Sequence, residues 1–312
     1  MLAMTRTPEG GLGALEMPIP EPGPTEVLIK SSVVGLNPVD RKTAAGKGVS
    51  SFFDPDQPMI VGWDVVGVVQ EVGEGVTRLR QGDRVFGMPS FPWPARAYAE
   101  YVVSQSRQVA VVPGAVSDLD AVALCLSGLT AWQAIVDTLA VGRGDRILIH
   151  AAAGGVGHIA AQLAVGIGAE VWATASARHH DDLRGLGVAH LVDYRSESFE
   201  ESVSGMDHVL DLVGLHGYPL RSLECLRRGG RLLVIPNGDQ VPDPAILADK
   251  GVTAGWMLVE PDYPALESLG ALTAAGDLKP LIAAQRPLRQ IEELWRLAEQ
   301  GAPIGKLAAT VG

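Results

Sequence analysis

Two textures of apolar residues divide the chain. Up to Val116 the apolar positions come in short β-branched runs: EVLIKSSVVGLN (26–37), WDVVGVVQEVG (63–73), GDRVFGM (82–88) and AEYVVSQSRQVAVVP (99–113). Turn signals such as EPGP, GEG and QGD separate them, so an antiparallel, partly closed β domain is expected. From Ser117 the pattern changes. Residues 118–139 read as a helix with Ser117 as its cap, broken near Ser127-Gly128. After that strand and helix alternate: RILIHA and GHIAAQLAVGIG, EVWATAS and HDDLRGLG, HLVDY and SFEESVS, DHVLDLVG and PLRSLECLRRG, then RLLVIPNG. Apolar runs of four to six residues alternating with helices mean parallel strands covered on both faces. Two amphipathic helices, EPDYPALESLGALTAAG and LRQIEELWRLAEQG, flank LKPLIA, and GKLAATV is expected to return as a strand to the first domain. The fold class is α/β, with a doubly wound domain inserted between two parts of a β domain.

The junction ILIHAAAGGVGHIAAQLA (147–164) passes from strand to helix with hardly a side chain on the turn. Ala152, Gly154 and Gly157 occupy the three positions of the Gly-x-Gly-x-x-Gly dinucleotide fingerprint, the first glycine being replaced. Gly154 lets a pyrophosphate lie against the backbone. Gly157 lets the helix approach its strand, and the N–H groups of the helix start face the phosphates. Ala153, Gly154, Gly155, Val156 and Gly157 are therefore the expected cradle; a tight turn without a ligand is the alternative. At the end of the next strand an NAD enzyme places an acid. Here Ser176-Ala177-Arg178 stands instead, and Ser176 and Arg178 suit a 2′-phosphate. NADPH is expected over NADH, against a reading of Arg178 as an ordinary surface charge.

Composition narrows the classes. The 312 residues are 47% hydrophobic and 20% charged, room for two cores, and the net charge of −11 gives no support to a nucleic-acid or anionic-membrane role. MLAMTRTPEGG lacks a signal-peptide core and no 18 consecutive residues are apolar, so the reading is cytoplasmic, without a membrane partner. Cys125 and Cys225, in apolar helical stretches, read as buried inert thiols.

With these residues in view, the chain resembles the medium-chain dehydrogenase/reductase superfamily, in its zinc-free, quinone-oxidoreductase-like branch. The resemblance runs over essentially the whole length, through VGLNPVD (34–40), GWDVVGVVQEVGEGVTRLRQGDRVFG (62–87), YAEYVV (98–103), LTAWQAI (129–135) and LIHAAAGGVGHIAAQLA (148–164). It implies a GroES-like catalytic domain at 1–116, a Rossmann NADPH-binding domain at 117–264 and a C-terminal return at 265–312. It also implies an oligomer joined through the Rossmann sheets, a homodimer or a tetramer, the homodimer being expected. Asn37 and Thr130 are expected near the nicotinamide, Asp40 in the NPVD loop, Tyr194 beside the adenosine phosphate, and Val213 and Asn237 among the coenzyme contacts. The zinc branch begins its ligand set where Asn37 stands, and residues 1–116 contain neither Cys nor His, so no metal is expected.

Hydride transfer without a metal points to the C=C bond of an α,β-unsaturated carbonyl, or to a quinone, with donors stabilising the developing oxyanion. The tyrosine that quinone reductases carry two residues after the Asp is Lys42 here, which resembles enoyl-reductase-like members. Lys42 reads either as a donor to the enolate oxygen or as a solvated lysine. Phe52, Phe53, Trp63, Phe91, Trp93 and Trp256 read either as lining for an apolar acceptor or as loop packing. A tailoring enoyl reductase of natural-product biosynthesis and a non-catalytic NADPH-binding sensor are the other readings, and none of the seven histidines is assigned to catalysis.

Overall fold

The computed structural model describes residues 1–8, 10–301 and 303–312. The chain forms two compact units, Met1–Leu129 with Glu260–Gly312, and Thr130–Val259. These limits differ from the 116/117 and 264/265 boundaries expected from sequence. The helix opening at Asp118 packs on strands Glu26–Leu36 and Val65–Val72, and helix Tyr263–Ala275 packs on strand Val109–Val111, so both flanks join the β-rich unit.

In the first unit a seven-stranded sheet runs Ile282–Pro287, Lys306–Thr310, Glu26–Leu36, Val65–Val72, Arg84–Gly87, Val109–Val111, with Tyr101–Gln105 also paired to Glu26–Leu36. Its pairs are antiparallel except the first. The β-branched alternation that defines the strands buries Val27, Ile29, Val65, Val69 and Val85 in one core. GKLAATV does return as a strand, with Leu307 opposite Leu36. Two elements went unread. Leu2–Arg6 pairs with Leu12–Glu16 as a hairpin, and the LKPLIA region continues into strand Ile282–Pro287.

The second unit is a parallel sheet in the order His190–Asp193, Glu170–Ala175, Arg146–Ile149, Met206–Asp211, Leu226–Val234, Thr253–Trp256. Strand order reverses between Arg146–Ile149 and Met206–Asp211, the switch point at which doubly wound sheets bind ligands. Helix Gly157–Ile167 covers the sheet and stops where Gly168 turns left-handed (φ 94°). The expected helix 219–229 is shorter than its apolar pattern: helical structure ends at Cys225, and Leu226 is extended (ψ 144°) and pairs with Met206. Strand Thr253–Trp256 was also unread, because its small residues make no apolar run. The helical stretch Asp118–Thr138 is long and apolar enough to cross a membrane, yet 78% of its most apolar window is buried in the protein. Ser117 caps it, accepting from the Asp120 N–H, and the break lies at Cys125, where ψ reaches −116°.

Candidate functional site

Every expected coenzyme residue lies just beyond the carboxyl end of a strand in the parallel sheet. The glycine turn follows Arg146–Ile149, Ser176 and Arg178 follow Glu170–Ala175, and Tyr194 follows His190–Asp193. Val213 follows Met206–Asp211, and Asn237 follows Leu226–Val234. The turn has the steric character the sequence implied. A Cβ on Gly157 would lie 2.4 Å from the Ala151 carbonyl oxygen and 2.6 Å from the Ala152 Cα, so only glycine admits the helix there. A Cβ on Gly154 would meet only that carbonyl oxygen, at 3.3 Å, and Gly154 is exposed. Its outer side is open to an anion. Ala151 takes the left-handed conformation (φ 50°), an uncommon state for alanine, while Ala152 is fully buried.

Behind the turn stands a residue that sequence reasoning set aside. His150 is fully buried, with Thr174 Oγ1 3.1 Å from Nδ1 and Ser222 Oγ 3.1 Å from Nε2. Ser222 spends its hydrogen on the Tyr218 carbonyl (2.9 Å), so it accepts from Nε2–H, and Nδ1 accepts from Thr174. Burial, with Arg221 beyond it, pushes the imidazole pKa down to about 3 and keeps it neutral. This ties two strand ends and helix Tyr218–Ser222 together beneath the turn, and Thr174 Oγ1 also accepts the Ala151 N–H at 3.3 Å. A histidine directly after RILI, before the glycines, was the available signal.

At the adenosine end, register pairs Ala175 with Asp193, which brings Ser176-Ala177-Arg178 beside Tyr194-Arg195 on one rim. Ser176 is buried and Arg178 exposed; Arg178 Nε donates to His179 Nε2 at 3.0 Å. Burial first, then the Arg178 charge, lowers the His179 pKa and keeps that acceptor available. Tyr194 is half exposed, which rules out core packing for its ring. Asp211 accepts from the Val213 (2.7 Å) and Gly214 (3.0 Å) N–H groups, fixing the loop that carries Val213. Asn237 is exposed and caps a short turn by accepting from the Asp239 N–H.

In the first unit, Asn37 and Asp40 are brought together and Lys42 rides one residue pair further on the same helix, Pro38–Ala44. Asp40 Oδ2 accepts from the Asn37 N–H (2.7 Å) and the Tyr98 hydroxyl (2.7 Å). Asn37 is 4% exposed. Its Nδ2 donates to Asp64 Oδ2 (2.9 Å), and its Oδ1 accepts from Lys306 Nζ. Lys306 and Asp64 form an ion pair at 2.6 Å with both side chains buried. Lys42 is exposed on the helix surface, and Thr130 is buried in the second unit. Neither Asp64 nor Lys306 was read from sequence.

The aromatic set divides. Trp63 and Phe91 are buried, Trp63 donating to the Trp93 carbonyl at 2.7 Å, whereas Phe52 and Trp93 stack at 4.4 Å with both rings about half exposed. Trp256 lies in the other unit. Both cysteines are buried free thiols; burial raises the pKa of Cys125 and pushes Cys225 up to about 12.

Known proteins match this arrangement. Residues 23–114 match the alcohol dehydrogenase GroES-like domain, and residues 186–308 match the family described as zinc-binding dehydrogenase. The chain is 33% identical to the chloroplastic quinone-oxidoreductase homolog of Spinacia oleracea, over 96% of this chain and 94% of that one. It is 34% identical to the 2-haloacrylate reductase of a Burkholderia species, over 79% and 75%. It also matches polyketide synthase GfsB of Streptomyces halstedii at 35% identity, but spans only 5% of that protein's length. The quinone oxidoreductase of Coxiella burnetii superposes with a TM-score of 0.93 at 34% identity, covering 100% of this chain and 99% of that one. The Escherichia coli quinone oxidoreductase, solved with NADPH, gives 0.88 at 25%, covering 99% and 100%. The open turn at Gly154 and the Ser176–Arg178 rim fit that same coenzyme. With its GroES-like and Rossmann parts and relatives matched almost end to end, the chain belongs to the quinone oxidoreductase-like branch of the medium-chain dehydrogenase/reductase superfamily and is an NADPH-type oxidoreductase.

Proposed function

We propose that the protein reduces the C=C bond of α,β-unsaturated carbonyl compounds, or a quinone, without a metal. Bound NADPH supplies the hydride. The chain's residues bind it through Gly154, Gly157, Ser176 and Arg178 and stabilise charge on the acceptor oxygen. Lys42 carries the assignment. It stands exposed on a helix whose start is fixed by Asn37 and Asp40, and a lysine ammonium donates to an enolate oxygen where a quinone-site tyrosine is missing. Asn37 and Thr130 bind beside the nicotinamide in this reading. Asn37 stands where the zinc branch has its first ligand, and the catalytic unit lacks Cys and His before Val116, a donor set unsuited to zinc. The 2-haloacrylate reductase relative supports C=C reduction, and the polyketide synthase match supports a tailoring reductase as the second reading.

The test is NADPH consumption against enones, enals, 2-haloacrylates and quinones. Turnover is expected to be best on an enone-type acceptor, and Lys42→Ala should lower kcat on it by about 100-fold with NADPH affinity kept. Unchanged kcat retires Lys42. Tight NADPH binding without turnover of any class supports a sensor instead.

We further propose a cytoplasmic homodimer, joined along strand Thr253–Trp256. That strand ends the parallel sheet, with Trp256 47% and Leu258 40% exposed. Light scattering after gel filtration should give twice the 32.8 kDa chain mass, and Trp256→Glu should halve it; a monomeric wild type rules the interface out.

A further inference from the structure

A buried ion pair is weak evidence for stability, since desolvating two charges offsets most of their attraction and apolar replacements often serve as well. The Asp64–Lys306 pair is buried on both sides, yet it lies in a β-rich core where apolar residues would pack. The backbone makes room for it. A Cβ on Gly35 would lie 2.3 Å from Asp64 Oδ2 and 2.8 Å from Lys306 Cε, so the strand beside the pair is bare at that residue. Four distant segments contribute. Asp64 Oδ1 accepts the Leu126 N–H (2.8 Å) at the helix break, Lys306 Nζ also reaches Ser127 Oγ (3.1 Å), and both partners bind Asn37.

The effect on Asn37 is specific. An amide side chain has a carbonyl end and an N–H end, and nothing in its shape chooses between them. Here the choice is forced. Lys306 has hydrogens only to give, so it takes the amide oxygen; ionised Asp64 only accepts, so it takes one Nδ2 hydrogen. Among the described residues no group takes the second Nδ2 hydrogen, which is left for a bound molecule, and Asn37 keeps 4% of its surface exposed.

We propose that Lys306 and Asp64 set the polarity of the Asn37 amide, so that Asn37 presents an N–H donor and not a carbonyl oxygen to the reacting molecule. Lys306 is thus a positioning residue for the reduction. This rests on the reductase reading above. A donor at Asn37 stabilises negative charge developing on a carbonyl oxygen, and a reversed amide would repel it.

The experiment compares full-length Lys306→Met with the double variant Asp64→Asn/Lys306→Met. The single change leaves Asp64 buried without its counter-ion, and its melting temperature should fall. The double change removes both charges, and the amide introduced at position 64 offers its own N–H groups to Asn37, which favours the reversed orientation. The double variant should therefore recover the melting temperature while kcat on the best acceptor stays down 10- to 100-fold and NADPH affinity holds within about threefold. A ¹⁵N side-chain amide spectrum, with the Asn37 pair identified by its loss in Asn37→Ala, should show that resonance displaced in the double variant. Recovery of kcat together with melting temperature overturns the proposal, as does an Asn37 resonance that does not move. A wild type that turns over no acceptor overturns the reductase reading itself; a turning wild type with unimpaired variants overturns only the role given to Lys306.

Discussion

Gly157→Val is expected to abolish measurable NADPH binding, and Gly154→Ala to weaken it at least tenfold while leaving the fold intact. The two glycines fail for different reasons. A side chain at Gly157 meets backbone atoms, the Ala151 carbonyl oxygen at 2.4 Å and the Ala152 Cα at 2.6 Å, and neither belongs to a side chain that can turn away. The helix would have to lift from strand Arg146–Ile149, against a buried face that includes Ile159, Ala160 and Ala161. Overpacking of this kind costs on the order of 3 kcal/mol, and it also moves the N–H groups that face the pyrophosphate. At Gly154 the added methyl lies 3.3 Å from one carbonyl oxygen, which a shift of a few tenths of an ångström relieves. What the methyl removes is the bare surface on which a diphosphate lies. Thermal melts and nicotinamide fluorescence titrations of both variants separate the effects: Gly157→Val should lose stability and affinity together, Gly154→Ala affinity alone. Wild-type NADPH affinity in Gly154→Ala would show that the coenzyme does not approach this turn.

What was legible in the sequence follows from how each feature is encoded. The turn could be read because steric emptiness is written in a single residue type at fixed spacing. The parallel strands could be read because two covered faces require unbroken apolar runs such as RILI. Thr253–Trp256, reading TAGW, has no such run, and sheet position alone makes it a strand. The Asn37 site was half legible. NPVD is expected as a loop with Asp40 in it; the structure makes it the start of helix Pro38–Ala44 and joins Asp40, at the third helical position, to the Asn37 N–H. Lys306 was invisible as a partner because 269 residues separate it from Asn37, and a lysine opening a predicted strand reads as an ordinary polar flank. Tyr98 was hidden in the same way: its hydroxyl reaches Asp40 across 58 residues. The role of His150 has no signature in spacing, because a buried neutral histidine that only accepts and donates hydrogen bonds leaves no pattern such as metal ligands do. Tertiary hydrogen bonds between distant residues carry no local periodicity, and the candidate site is built mostly from them.

Asp40→Asn should flatten the dependence of stability on pH, and this follows from the same buried cluster. Asp40 is fully buried, and its carboxyl pKa is raised from 3.8 to about 7. Burial is the main cause and the Asp64 charge adds to it; the Tyr98 hydroxyl, the Asn37 N–H and Lys306 act in the opposite direction. Oδ1 has no partner among the described residues, as suits an acid that carries its own proton there. Between about pH 4 and pH 7 the folded chain holds a proton that the unfolded chain has released. Stability therefore falls as pH rises through that window, and the penalty is complete above about pH 7. At about 1.4 kcal/mol for each pH unit, a window of some three units corresponds to about 4 kcal/mol. Asparagine is uncharged throughout, and its Oδ1 accepts both bonds now made to Oδ2. The variant should match wild type near pH 4 and melt up to roughly 10 °C higher at pH 8. Tyr98→Phe acts in the other sense: with a donor to the ionised form removed, the folded carboxyl pKa climbs further, and the fall in stability still begins near pH 4 but continues to higher pH. Melting curves of the three proteins from pH 4 to 9 decide the matter, and parallel profiles for wild type and Asp40→Asn would mean that Asp40 is ionised throughout that range in the folded chain.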